Sequence, residues 1–109
     1  MTEDDLVAFA LSLPEAVESV HFGTRDFRVR GRIYLTLPSV EYCVVKLTPE
    51  QQHMAVAMSP DHVLTVPGGW GYKGWTRVYH HLADDETVRV LVRQAWRNAA
   101  PKSMASLVG

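Results

Sequence analysis

The spacing of apolar and polar positions divides the chain into a short series of elements. Leu6, Phe9, Ala10 and Leu13 recur at helical intervals behind Thr2 and three acids, Glu3, Asp4 and Asp5. A hydroxyl cap followed by carboxylates at the positive end of the helix dipole predicts a helix over residues 3–12. Pro14 ends it, and residues 15–20 read as one further short turn of helix. From Asp26 the period changes to two. Phe27 and Val29 fall on one face and Arg28 and Arg30 on the other, Gly31 supplies a hairpin turn, and Ile33, Leu35 and Leu37 continue the pattern. Tyr42 to Leu47 is rich in β-formers and reads as a central strand.

Thr48, Pro49 and Gln51 form a second helix start with a capping box, and that helix should reach Met58. A short strand over 62–66, a flexible glycine-rich loop over 67–74 and a strand over 75–82 follow. Asp84, Asp85 and Glu86 open a last helix whose apolar face is Val88, Leu91, Val92, Ala95, Trp96 and Ala99, closed by Pro101. The order α-βββ-α-ββ-α does not build parallel βαβ units. It predicts an α+β fold: an antiparallel sheet of about five strands with helices packed on one side, in a single domain over residues 1–109.

Composition narrows the function without naming it. Hydrophobic residues make up 47% and charged residues 21% of 109 positions, an ordinary globular balance. The formal net charge is -1, so no global basic field draws the protein to phosphate. A lone Cys43 excludes an intrachain disulfide and fits a reducing compartment. No run approaches the roughly 20 apolar residues needed to span a membrane, and the acidic start differs from a signal peptide. The expectation is a cytoplasmic protein, monomeric or weakly dimeric.

Four segments, taken together and in order, resemble the MmcQ/YjbR family. They are Ala10 to Pro14 followed by Glu18 and His21-Phe22-Gly23; Phe27 to Tyr34; Val45 to Glu50; and Lys73 to Val78. The resemblance implies a compact α+β fold and DNA binding through two protruding β wings. The first wing would be the tip around Arg30-Gly31-Arg32, and the second would involve Pro67 to Gly74. The resemblance brings no shared catalytic residues. Gly68 to Tyr72 is more glycine-rich and aromatic than the family pattern.

Local charge agrees with a basic sheet region. Residues 1–20 carry five acids and no Lys or Arg. Arg25, Arg28, Arg30, Arg32, Lys46, Lys73 and Arg77 lie within the strand region. Four arginines within residues 25–32 either contact phosphates or solvate an edge hairpin. Trp70, Tyr72 and Lys73 either stack bases beside a phosphate contact or fold back over the sheet, while Trp75 reads as core. Arg89, Arg93 and Arg97 form one helical stripe, either a phosphate-tracking ridge or a solvated face with Asp85 paired to Arg89.

Catalytic chemistry finds no pattern here. His80 and His81, adjacent on a strand, point apart and cannot chelate together; His53 and His62 have no partner spacing; His21 sits where it can bond backbone. Cys43 reads as a buried thiol. No nucleophile elbow or P-loop is present. The sequence therefore points to a binding module without catalytic residues, cofactor or metal. The leading reading is DNA binding of low sequence selectivity through Arg25, Arg28, Arg30, Arg32, Lys46, Trp70, Tyr72, Lys73 and Arg77. The alternatives are a small-molecule or a protein-interaction module.

Overall fold

The computed structural model describes residues 1–108. The first helix, α1 (Glu3–Ser12), carries the expected cap: the Asp5 amide donates to the Thr2 hydroxyl, and the Thr2 amide donates to the Asp5 carboxylate. The strands are β1 (Val17–His21), β2 (Thr24–Val29), β3 (Arg32–Leu37), β4 (Cys43–Lys46), β5 (Val63–Thr65) and β6 (Trp75–Val78). The remaining helices are α2 (Pro49–Met58), the single turn α3 (Gly69–Tyr72) and α4 (Asp85–Ala99), followed by a 3-10 segment over Lys102–Leu107. All strand pairs are antiparallel, in the spatial order β1-β2-β3-β4-β6-β5.

The antiparallel sheet has six strands, close to the about five expected. The extra one is β1, over the stretch read as a turn of helix. Four of its five residues are exposed, so the strand shows no apolar alternation. Its backbone pairing with β2, not an apolar pattern of its own, holds it there. The strand expected over 75–82 stops at Val78, because Tyr79 to Leu82 turn back on themselves. The Leu82 and Ala83 amides both donate to the Tyr79 carbonyl. His80 and His81 lie in this turn, His80 buried and His81 exposed.

Two features of β2 and β3 govern which side chains face the helices. Arg30 and Gly31 connect the strands with φ of 50° and 79°, the positive pair that a two-residue hairpin with right-handed twist requires. Phe27 then pairs with Leu35 while Arg28 pairs with Ile33, so Tyr34 is an extra residue on β3. This bulge lets consecutive Tyr34 and Leu35 both enter the core. The Tyr34 hydroxyl donates to the Ala10 carbonyl at 2.8 Å, tying the hairpin to α1.

One face of the sheet supplies Phe27, Val29, Leu35, Leu37, Cys43, Val45, Val63 and Val78 to the core. Against it lie Leu6 and Ala10 of α1 and the whole expected apolar face of α4. Trp96, fully buried, donates its indole N–H to the Pro14 carbonyl at 3.0 Å. Burial pushes the Cys43 thiol up to about 12, so it is inert packing. The long helices α1 and α4 pack on this face, and the opposite face carries only the single turn α3.

Candidate functional site

Strand register fixes what the uncovered face displays. Cross-strand partners share a face, so Asp26, Thr36, Val44, Arg77 and Leu64 form one row across β2, β3, β4, β6 and β5. Beside that row lies the pair Lys46 and Trp75. Trp75 is therefore half-buried on the open face and not part of the core, contrary to expectation. A cleft of about 270 Å³ opens among His21, Thr36, Tyr42, Trp70, Trp75 and Arg77.

The aromatic and cationic groups of this face are interleaved. The Arg77 guanidinium lies 4.3 Å from the centre of the Tyr42 ring, Lys73 Nζ 5.4 Å from that of Trp70, and Lys46 Nζ 5.4 Å from that of Trp75. Lys46 also donates to the Lys73 carbonyl. Burial, and then the neighbouring Lys73 ammonium, hold the Lys46 ammonium below its ordinary range. Among the described residues none of Lys46, Lys73 and Arg77 has a carboxylate partner. Arg77 Nε is buried without a hydrogen-bond partner, and its Nη1 makes a long 3.5 Å contact to the Tyr79 hydroxyl.

The hairpin arginines are differently placed. Arg25 faces the helices and donates to Glu18 at 2.6 and 3.1 Å and to Glu3 at 2.9 Å. Arg30 forks onto Glu15 at 2.7 and 3.1 Å. Arg28 forks onto Asp26 at 2.8 and 3.0 Å. Only Arg32 of the four lacks a carboxylate partner among the described residues, and it is exposed beside the turn. So Arg28, Lys46, Trp70, Lys73 and Arg77 gather on or beside the open face, while Arg25, Arg30 and Arg32 do not join them. Tyr72 is 87% exposed and lines no part of the cleft.

Asp26 is wholly buried and meets two bases at once. The Arg28 fork, then the His21 ring, lowers its carboxyl pKa, so it stays ionised and can only accept. His21 therefore donates through Nδ1, across 2.7 Å, which leaves Nε2 as the remaining ring nitrogen. The sequence suggested a backbone bond for His21, and the partner is this carboxylate instead. The signal was present: Asp26 and Arg28 are two apart on one strand, hence on one face. Phe22, the next residue after His21, has φ of 48° at the β1–β2 turn and is fully exposed.

The glycine-rich segment is a packed element, not a flexible loop. A methyl group on Gly71 would lie 1.9 Å from the Val66 carbonyl oxygen, and one on Gly74 would lie 1.8 Å from that of Leu47. Gln52 of α2 reaches the same segment, its amide nitrogen within 3.1 Å of the Gly71 and Trp75 carbonyls and the Thr76 hydroxyl. These close approaches fix the base on which Trp70 and Lys73 stand. On α4 the arginine stripe is an ion-paired surface, with Arg89 and Arg93 both on Glu86 at 3.2 Å in place of the expected Asp85.

Further observations bound the site. A groove of about 480 Å³ between α2 and α4 is lined by Met54, Met58 and Val90 with Glu50 and Glu86, and by no cation or aromatic ring. Among the described residues no group of three or more His, Cys, Asp or Glu side chains is placed to hold a metal ion. Among the described residues no helix is long and apolar enough to cross a membrane.

Comparison with known proteins agrees with this architecture. The family model described as YjbR matches residues 11–98. The crystal structure of Deinococcus radiodurans protein DR2400, with domain DUF419, is similar with a TM-score of 0.78 at 20% identity. The match covers 98% of this chain and 84% of that one. No curated protein matches the chain.

Proposed function

The chain belongs to the YjbR family, and from that premise we propose that it is a non-catalytic nucleic-acid-binding module working through the open face of its sheet. The observation that carries this reading is the grouping of Lys46, Lys73 and Arg77, none with a carboxylate partner among the described residues, beside Tyr42, Trp70 and Trp75. Cations alternating with flat rings suit a strand whose phosphates alternate with bases. Burial first, and then the nearby Lys73 ammonium, lower the Lys46 pKa, and an anion bound beside it offsets both.

This assignment moves the contact surface from the hairpin tip to β4, β6 and α3. Arg25, Arg28 and Arg30 already hold carboxylates, and each must give up that partner to take a phosphate. The overall charge of -1 agrees with a local footprint of few phosphates and modest affinity. Base identity is read weakly, because stacking accepts any base.

The test is a fluorescence-polarisation titration of labelled DNA across a salt series. Affinity should fall as salt rises, with a log–log slope that drops by about one when Lys46 or Arg77 becomes alanine. Binding that ignores salt, or no binding at low salt, refutes the proposal.

A further inference from the structure

We infer that the cleft beside His21 takes a single unpaired nucleobase, so that the protein prefers single strands to intact duplex. This deepens the nucleic-acid reading and rests on it. Three independent features lead here, and phosphate contacts require none of them.

The first is shape. At about 270 Å³ the cleft sits just below the roughly 300–1,000 Å³ of sites for drug-sized ligands. That is the scale of one base with part of its sugar. Its lining joins apolar Ile33, Val44 and Val66 to the rings of Tyr42, Trp70 and Trp75. Trp70 keeps 63% of its surface in solvent, so ring area remains for stacking.

The second is the polar edge. The buried Asp26 carboxylate accepts from His21 Nδ1, so Nε2 is the ring nitrogen left to meet the polar edge of a base at the cleft. The Arg77 guanidinium, also lining the cleft, carries a buried Nε with no partner. A buried donor without an acceptor is costly, and a base carbonyl or phosphate oxygen there satisfies it. In a duplex those base edges are paired and the faces stacked, so only a base out of the stack reaches both groups.

The third is Phe22. A fully exposed phenylalanine at a turn has no folding role to explain it, and here it directly follows His21. Its ring stands edge-on to the His21 ring with centroids 6.3 Å apart. An apolar ring beside a base-sized cleft is placed to cover the neighbouring base and keep the captured one unstacked.

The experiment compares labelled strands of about 15 nucleotides: intact single strand, the same strand with abasic positions, and duplex. Adenosine monophosphate and ribose 5-phosphate serve as competitors, with tryptophan emission recorded in parallel. The inference expects the single strand to bind at least about tenfold tighter than duplex, with a loss of about tenfold for the abasic strand and for Phe22→Ala or Trp70→Ala. Both variants alter exposed side chains, and circular dichroism checks that they fold. Adenosine monophosphate should compete and quench, and ribose 5-phosphate should not.

Equal binding of duplex, abasic and intact strands, still lost in Arg77→Ala, overturns base capture and leaves phosphate binding standing. Mononucleotide quenching without polymer binding supports the cleft and removes the polymer reading. Silence from every probe overturns both.

Discussion

The Nδ1 atom of His21 lies 2.7 Å from a carboxylate oxygen of Asp26, a residue with no solvent exposure. A buried acid is tolerated in a sheet only when its charge is answered, and here Arg28 answers it from one side and His21 from the other. This one group connects β1 to β2 through side chains and fixes the ring that borders the cleft.

Asp26→Asn should therefore lower the melting temperature at neutral pH, since its amide nitrogen cannot accept and so cannot serve both the Arg28 fork and His21. The sign of the pH dependence follows from the lowered pKa. Asp26 contributes stability that is present above its unfolded value of about 3.8 and is lost as pH falls toward the lower folded value. The gap in melting temperature between the parent protein and Asp26→Asn should narrow below about pH 4. A gap that stays constant to pH 2 contradicts the assignment. Calorimetry across that range decides it.

His80 gives a second acid limb at milder pH. It is buried, donates Nδ1 to the Met1 carbonyl at 3.1 Å, and its Nε2 has no partner. Burial is the main cause holding its pKa below 6.5. The unfolded chain thus takes up the proton first, so stability is full above about 6.5 and declines as pH falls through and below that value. Replacing His80 with glutamine should flatten this limb in a thermal-shift series between pH 5 and 7.5, leaving the steeper loss near pH 4.

Gly71→Ala should be among the most damaging single-atom additions to the fold. The new methyl group meets backbone oxygen at 1.9 Å, a neighbour with no rotamer to change. A cost of about 3 kcal/mol or more is expected, measured by urea denaturation. Gly69→Ala, where a methyl group meets nothing within 4 Å, is the control and should cost under about 1 kcal/mol.

Tyr34→Phe removes the hydroxyl that serves the Ala10 carbonyl and leaves that oxygen buried. The expected loss is about 1 to 2 kcal/mol, again by denaturant titration, with no change in nucleic-acid affinity because Tyr34 faces away from the site. Variants of the open face should show the reverse: Arg77→Ala changes binding and its salt slope, while Arg30→Ala, whose fork is spent on Glu15, changes neither by much.

How much of this was legible in the sequence depended on the range of the cause. The Thr2 cap of α1, the capping box of α2, the apolar face of α4 and the Gly31 turn are set by residues close together in the chain, and they stand as read. The strand β1 was missed because pairing with β2, not its own pattern, holds Val17 to His21 extended. The pairing of Arg30 with Glu15 and of Arg25 with Glu3 joins residues on different elements, so a basic hairpin on paper is a neutralised one in space. Strand alternation puts Trp75 and Arg77 on one face, yet their meeting with Tyr42 depends on β4 lying beside β6. The segment 67–74 looked flexible by composition. Its glycines instead permit contact with Val66 and Leu47.

The place of β6 between β4 and β5 orders the life of the chain on the ribosome. The meander β1 to β4 closes locally, through turns of a few residues, as soon as it emerges. One edge of β4 then waits for Trp75 to Val78, with α2, β5 and α3 synthesised in between. During that interval Cys43, Val44 and Val45 present an unpaired apolar edge, the hazard that finished sheets are built to hide. A chain stalled before Trp75 keeps that edge of β4 open, and completion of a four-residue strand closes it.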